Sequence, residues 1–284
     1  MKIWIDGKYF TKEDAKISVF DHGLLYGDGV FEGIRVYNNN VFKLVEHIER
    51  LHKSAKAILL EIPITREEMN RTVREVVKEN GSADAYLRLV VTRGAGDLGM
   101  NPRLCPRPSI IIIAGEIQFY PEKCYSEGIA IMTSSLRRIG PGSFDVRIKS
   151  LNYLNNILAK IEANQAGCLE ALILNNEGLV AECTGDNVFI MTNGILKTPR
   201  CTDQALEGIS RATILEIAAA AGIPVMETAL TQYDLYIADE CFLSGTGAEL
   251  MPVIKIDGRI IGDGKPGVIT RKITALFHEE VRRG

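Results

Sequence analysis

The chain has 284 residues, 46% of them apolar and 24% charged, with a formal net charge of −3. That is the balance of an ordinary globular protein large enough for two domains, and it gives no reason to expect a nucleic-acid or anionic-membrane partner. Apolar runs such as Ile110 to Ala114 are far too short to span a bilayer, and the first residues lack the charged-then-apolar form of a signal peptide. Six scattered cysteines, none in a Cys-x-x-Cys pair, read as reduced thiols in a cytoplasmic protein. His47 and His52 stand five apart, off a common helix face, and read as surface or capping residues rather than metal ligands.

In chain order, Ile3-Trp4-Ile5 and Lys8-Tyr9-Phe10 flank Asp6-Gly7, a hairpin signal. Val30 to Tyr37 and Val41 to Lys43 flank Asn38-Asn39-Asn40, a second one. A helix over about 45–59 follows, with Ile48, Leu51, Ala55 and Ile58 on one face. The next starts at Thr65, with Glu68 three positions on as in a capping box, and stops at Asn80-Gly81. Strands over 85–92 and 109–114 complete a first domain, 1–115, and the weakly periodic 116–125 reads as a connector to a second, 126–284.

In the second domain a strand over 129–134 leads through the irregular Ile139-Gly140-Pro141-Gly142 to a helix. Its apolar stripe is Leu151, Leu154, Leu158 and Ile161, and Lys149 stands at its mouth, outside that buried stripe. Strands over 170–174, 179–183 and 187–191 follow, then a helix from about Ser210 to Ala221 and a short helix over 233–239. Strands over 241–243 and 253–256 and a final helix from about Gly267 close the chain. Strands and helices mix without βαβ alternation, which predicts an α+β fold.

Several positions carry chemistry. A lysine at the end of an element can form a Schiff base with a carbonyl cofactor, which singles out Lys149; a solvated lysine is the plain alternative. Leu206-Glu207-Gly208-Ile209-Ser210 precedes a strongly helical run, so its amides suit a phosphate with Ser210 adding a hydroxyl, or Ser210 is simply an N-cap. Arg50 can fork onto a phosphate, or lie in solvent beside Glu46 and Glu49. Glu182, after Leu179-Val180-Ala181, can face a pyridine nitrogen, or end its strand in water. Thr246 and Gly247 lie in a small-residue turn that suits an anion, and Tyr86 and Arg88 share one face of a strand and suit a carboxylate. Gly94-Ala95-Gly96-Asp97-Leu98-Gly99 matches the dinucleotide pattern, but Pro102, Pro106 and Pro108 forbid the helix it requires, which leaves a glycine-rich mobile loop.

Together these motifs resemble the class IV, or fold-type IV, pyridoxal-phosphate transaminases over nearly the whole chain, from Asp21-His22-Gly23-Leu24-Leu25-Tyr26-Gly27-Asp28-Gly29-Val30-Phe31-Glu32-Gly33-Ile34-Arg35 to the last helix. The resemblance implies a two-domain fold like that of D-amino acid aminotransferase, with pyridoxal 5′-phosphate between the domains and a homodimer or higher homo-oligomer. It implies that Lys149 binds the cofactor and moves the substrate proton, that Glu182 binds the pyridine nitrogen and that Tyr153 bonds the phenolic oxygen. Arg50, Gly208, Ile209, Ser210 and Thr246 would hold the phosphate, and Leu206 would pack on the ring. Val30 to Arg35 and Tyr86-Leu87-Arg88 look like the branched-chain amino acid branch. There Tyr86 with the Thr246-Gly247 amides would take the α-carboxylate, Arg88 the distal carboxylate of glutamate, and Phe31 and Tyr26 would form the apolar wall. Such an enzyme exchanges leucine, isoleucine and valine with 2-oxoglutarate. Ser210 stands where threonine is more usual, and Gly247 where alanine is. Lys149 and Tyr153 are one residue closer than in many branched-chain enzymes, a spacing similar to D-amino acid transaminases. That activity and an aminodeoxychorismate lyase of the same fold are the alternatives; Cys105, where the D-branch carries histidine, and the Tyr86–Arg88 pair favour the L-branched-chain reading.

Overall fold

A computed structural model of the chain describes residues 1–81, 83–115 and 120–283, which fall into two compact units. The first holds β1 (Ile3–Ile5), β2 (Lys8–Phe10), α1 (His22–Tyr26), β3 (Gly29–Tyr37), β4 (Asn40–Val41), α2 (Leu44–Ala57), α3 (Arg66–Asn80), β5 (Ala85–Thr92) and β6 (Ser109–Gly115). Both expected hairpins form. Asp6 and Gly7 (φ 46° and 93°), and Asn38 and Asn39 (φ 48° and 65°), take the left-handed backbone that a tight turn between twisted strands needs. The capping box also forms: the Thr65 hydroxyl accepts from the Glu68 amide, and the Glu68 carboxylate accepts from the Thr65 amide at 2.8 Å. Helix α1 has no periodic pattern to announce it. It is only five residues long, fixed by the Asp21 side chain at one end and left-handed Gly27 at the other.

The six strands of this unit run antiparallel in the order β2-β1-β6-β5-β3-β4. Alternation puts Val30, Ile34, Val36, Leu87, Leu89, Val91, Ile110 and Ile112 on one face, where they pack with Ile48 and Leu51 of α2 and Met69 and Val73 of α3. The opposite alternation on β3 and β5 carries Phe31, Gly33, Tyr86 and Arg88.

Residues Ile148–Asn152 belong to this first unit, although the linear boundaries place them in the second domain. They lie along the free edge of β3 near its start. The Phe31 amide donates to the Lys149 carbonyl at 3.0 Å, the Leu151 amide donates to the Gly29 carbonyl at 3.0 Å, and Val30 and Ser150 bridge antiparallel. An edge strand leaves backbone donors and acceptors unpaired, and these residues satisfy them. Lys149 therefore sits in extended chain rather than at a helix mouth.

The second unit contains α4 (Glu122–Glu127), β7 (Ile129–Arg137), α5 (Leu154–Gln165), β8 (Glu170–Leu174), β9 (Val180–Cys183), β10 (Asn187–Thr192), β11 (Ile195–Thr198), α6 (Ile209–Ala220), β12 (Val225–Glu227), α7 (Gln232–Tyr236), β13 (Glu240–Gly245), β14 (Glu249–Ile256), β15 (Arg259–Ile260) and α8 (Val268–Arg283). Its strands run β12-β11-β10-β13-β14-β7-β8-β9, with β15 beside β14. Three pairs, β11–β12, β14–β7 and β7–β8, are parallel. This mixed sheet, with the antiparallel one of the first unit, makes an α+β protein. Of the connector expected over 116–125, residues 116–119 lie outside the described residues. From Tyr120 on, the chain packs into the second core through Tyr120, Cys124 and Tyr125, on and beside α4.

Helix α5 overturns the expected burial pattern. Leu154 is 66% and Ile157 54% exposed, with Leu158 and Ile161 also exposed, while Ala159 and Ala163 are buried against Ala171 and Ile173. Small residues let the helix approach β7 and β8 closely, so the bulky stripe points away from the core. Among the described residues no helix is long and apolar enough to cross a membrane, none of the six cysteines is in a disulfide, and no cluster of His, Cys, Asp and Glu could hold a metal ion.

The strap carrying Lys149 tolerates little bulk at Gly29. A Cβ there would lie 2.7 Å from both Leu151 Cδ1 and the Val91 carbonyl oxygen. Gly29→Ala is expected to destabilise the protein by roughly 1–3 kcal/mol and to lower turnover. Thermal melts and activity that match wild type would show that the strap is not seated this way.

Candidate active site

In the first unit the chemistry gathers around β3. Phe31 follows the backbone bonds to the Lys149 strap, and its ring lies 4.8 Å from Lys149 Nζ and 4.6 Å from the Arg88 guanidinium carbon. The Lys149 amide also donates to Ser54 Oγ of α2 at 3.1 Å. Arg88 stands 5.4 Å from the Tyr86 ring, so the expected shared face is real. Gly33 makes room for that tyrosine: a Cβ on it would come within 2.0 Å of the Tyr86 hydroxyl. Tyr26 is held separately, its hydroxyl donating to the Leu98 carbonyl and its ring edge-on to His22.

On the core face of the same strand Glu32 is fully buried between Val30 and Ile34. Arg50 of α2 donates to it twice, Nε to Oε1 at 2.8 Å and Nη2 to Oε2 at 2.7 Å, and His47 Nδ1 lies 2.7 Å from Oε2. Arg50 is therefore buried and paired rather than solvated, and His47 is a core residue rather than a surface or capping one. Burial pushes the Glu32 carboxyl up, but the Arg50 charge and the bonds from Arg50 and His47 outweigh it and bring it down to about 2. Burial, more strongly than the neighbouring carboxylate opposes it, lowers His47, and the charges of Arg50 and Lys149 lower it further. Neither Glu32 nor His47 is identifiable as a site residue from the sequence. Their only signal is an acid and a base at core positions of otherwise apolar periodicities.

In the second unit the focus is Glu182, buried on β9 rather than at a wet strand end. Arg138 Nη2 donates to Oε1 at 2.5 Å; the Leu206 amide and Asn187 Nδ2 donate to Oε2 at 3.0 and 3.2 Å. Arg138 is itself fixed by Asn156, Nη1 to Oδ1 at 2.8 Å, and Asn156 donates to the Thr184 carbonyl at 2.7 Å. Sequence reasoning misses Arg138 and Asn156, because long-range partners leave no local pattern; Asn187 is only five residues from Glu182, but no periodicity marks its side chain as a partner. Leu206 is placed by its own amide bond to Glu182 and by its carbonyl, which accepts from Asn187 Nδ2 at 3.1 Å.

Helix α6 opens at Gly208, which has extended backbone and no side-chain cap, so Ser210 is not the N-cap. The leading amides of Ile209 and Ser210 belong to a helix start, and Ser210 is buried in the first turn. A Cβ at Gly208 would lie 2.1 Å from Asn187 Oδ1, so the glycine lets the asparagine that braces Glu182 reach the helix start. Thr246 and Gly247 follow β13 in the turn to β14. Gly245 before them admits Asp186, whose Oδ1 would lie 1.9 Å from a Cβ there. Tyr153 occupies the N-cap position of α5 and is half-buried.

Gly94 to Gly99 opens no helix. Left-handed Gly94 (φ 90°) lies against the Arg107 carbonyl, and the Gly96 amide donates to the Phe20 carbonyl at 3.1 Å. The dinucleotide alternative has no structural basis here.

The first unit offers an amine and two arginines, Lys149, Arg50 and Arg88. The second offers an uncapped helix start with a buried hydroxyl and a buried carboxylate braced by an arginine. An amine suits a carbonyl, a helix start suits a phosphate, and a buried carboxylate suits a basic ring nitrogen. The sequence matches the amino-transferase class IV family over residues 29–256, and the chain belongs to that family. A Methanocaldococcus jannaschii protein, whose branched-chain-amino-acid aminotransferase name is itself provisional, is 51% identical over 279 residues, covering 98% of this chain and 96% of its own. The crystal structure of the Escherichia coli branched-chain amino acid aminotransferase superposes with a TM-score of 0.95 at 37% identity, covering 98% of this chain and 93% of that one. The branched-chain aminotransferase of the archaeon Thermoproteus uzoniensis, solved with norvaline, superposes at 0.91 and 40% identity, covering 99% and 94%. A further branched-chain amino acid aminotransferase, complexed with N-(5′-phosphopyridoxyl)-L-glutamate, superposes at 0.92 and 37% identity, covering 99% and 93%.

The buried acid–base cluster sets an acid limit on stability. Glu32 ionises more readily folded than unfolded, so its contribution is complete above its ordinary value of 4.5 and is lost as pH falls toward about 2. His47 binds its proton less readily folded, so it weakens the fold as pH drops below its ordinary 6.5. Urea midpoints are expected to fall between pH 7 and 4, with His47→Gln flattening the upper part of the profile. Identical profiles for wild type and variant would remove His47 from the account.

Proposed function

We propose that the chain is a pyridoxal-phosphate-dependent branched-chain amino acid transaminase. It exchanges L-leucine, L-isoleucine and L-valine for their 2-oxo acids, with 2-oxoglutarate and L-glutamate as the second pair. The observation that carries this reading is the Phe31 ring with both the Lys149 amine and the Arg88 guanidinium within 5 Å. One apolar wall then serves aliphatic side chains, and a cation beside it receives the distal carboxylate of glutamate. The names of the relatives and the phosphopyridoxyl-glutamate ligand of one of them support the same assignment.

When bound, pyridoxal phosphate supplies a carbonyl that takes the amino group and a ring that accepts the electron pair released at the substrate Cα. Lys149 removes the Cα proton and returns it on the product side, as a positioned base and acid. Glu182, fixed by Arg138, Asn187 and the Leu206 amide, would accept a hydrogen bond from the pyridine nitrogen, and Tyr153 would donate to the phenolic oxygen. The amides and hydroxyl at Gly208, Ile209 and Ser210, and on this reading Arg50 and Thr246, would hold the phosphate, and Leu206 would pack on the ring. Tyr86 and the Thr246-Gly247 amides would take the α-carboxylate, Arg88 would take a distal carboxylate, and Phe31 and Tyr26 would exclude water from an aliphatic chain.

We read the setting as cytoplasmic, supported by six cysteines without disulfides. The enzyme works as a homodimer or larger homo-oligomer, supported by the exposed apolar residues Leu154, Ile157, Leu158 and Ile161 of α5. Light scattering is expected to give at least twice the chain mass; a monomer at micromolar concentration would contradict it.

The function is tested by the visible absorbance of the purified protein. A yellow band should move to shorter wavelength on adding L-leucine and on adding L-glutamate, and should stay unmoved in Lys149→Ala. In Arg88→Leu the L-leucine response should persist while the L-glutamate response weakens by about tenfold or more in apparent affinity, the scale of a lost charged hydrogen bond. A band that responds to D-alanine and not to L-leucine, or pyruvate released without an amino acceptor, would overturn the assignment.

A further inference from the structure

The core beneath β3 contains an anomaly. Glu32 lies fully buried among Val30, Ile34 and Val36, where a bare carboxylate is costly and an apolar pair would fill the core at least as well. It is instead held on both oxygens by Arg50, and Oε2 also meets His47. Two bonds from a planar fork fix the plane of the guanidinium as well as its place. They commit its Nε–Nη2 edge, so Nη1 is turned away from the carboxylate.

We propose that Glu32 is a positioning residue that docks the Arg50 guanidinium in a single orientation for a phosphate monoester, with His47 bracing the carboxylate. This rests on the assignment of Arg50 to the cofactor phosphate. The carboxylate makes the site less positive, so its contribution is order rather than attraction. Each donor committed to the carboxylate reduces the rotamer freedom that the arginine gives up on binding. Removing Glu32 therefore sets two effects against each other: more local positive charge, which would tighten phosphate, and a looser guanidinium, which weakens it. The geometry points to the second as dominant.

The full-length protein, freed of cofactor, would be titrated with pyridoxal phosphate and with pyridoxal, using inorganic phosphate as competitor. Compared with wild type, Glu32→Gln should bind pyridoxal phosphate about tenfold more weakly, the scale of a lost charge-assisted contact, with pyridoxal affinity within about twofold. Competition by inorganic phosphate should weaken in parallel. Glu32→Asp, which keeps the charge but shortens the reach, should give an intermediate ratio of the two affinities. That variant carries the same comparison if the glutamine form does not fold. Equal losses for pyridoxal and pyridoxal phosphate would mark Glu32 as merely structural, and a gain in phosphate affinity would mean that charge dominates; either result overturns the proposal. Arg50→Lys distinguishes the underlying assignment: if it too leaves the ratio unchanged, Arg50 does not hold the phosphate, and that reading fails rather than the docking.

Discussion

Strand β3 is the constraint on which the first unit depends. Its alternation gives opposite chemistry to adjacent residues. Phe31 faces one side with Arg88 and the Lys149 amine near its ring, and Glu32 faces the other, pinned by Arg50 and His47. Its free edge receives the backbone around Lys149. Two faces and an edge of one strand thus register three groups against each other. A slip of one residue would send Glu32 to the Phe31 face and Phe31 into the core. The full pairing of β3 with β5, from Gly29 opposite Thr92 to Val36 opposite Ala85, opposes that slip.

The second unit uses a different device for a similar end. Glu182 is fixed through side chains and one backbone amide from three places: Arg138 after β7, Asn187 at the start of the next strand, β10, and the Leu206 amide before α6. A buried carboxylate with a guanidinium and two amide donors has its preferred directions defined before any ligand arrives. Asn187 links this network to Gly208 at the start of α6, so the carboxylate and the helix start share one brace. Both units contain the same element, a buried acid docked on an arginine; the member assigned to the cofactor is the arginine, Arg50, in the first and the acid, Glu182, in the second.

The sequence disclosed what is written locally. Turn residues at Asp6-Gly7 and Asn38-Asn39, the Thr65–Glu68 box and the alternation of Tyr86 and Arg88 each need only a few neighbouring residues, and each took the expected form. The family motifs brought Lys149, Glu182 and Gly208 into view, though not their surroundings. What stayed hidden depends on partners far along the chain. In the sequence Glu32 is one letter of a motif, Arg138 carries no signal, and His47 reads as a surface or capping residue. On α5 apolar periodicity does not mark the buried face: Ala159 and Ala163 make the buried contact and leave the leucines and isoleucines outward. Short strands such as β11 and β12 are held by sheet neighbours rather than by their own composition.

The strap that completes β3 has a consequence for how the protein is made. Lys149 and Ser54 bond although 95 residues separate them, and the strap reaches the sheet edge only after the chain has begun the strands of the second unit. During synthesis, α2, α3 and the hairpins can consolidate through local contacts, while the edge of β3 waits, unpaired. A nascent chain interrupted before that point therefore displays an open strand edge beside a finished core, a surface on which chains pair with each other. Arrival of the strap closes that edge and brings Lys149 to it in the same event, so the growing protein covers an unpaired strand edge as it gains the residue assigned to its chemistry.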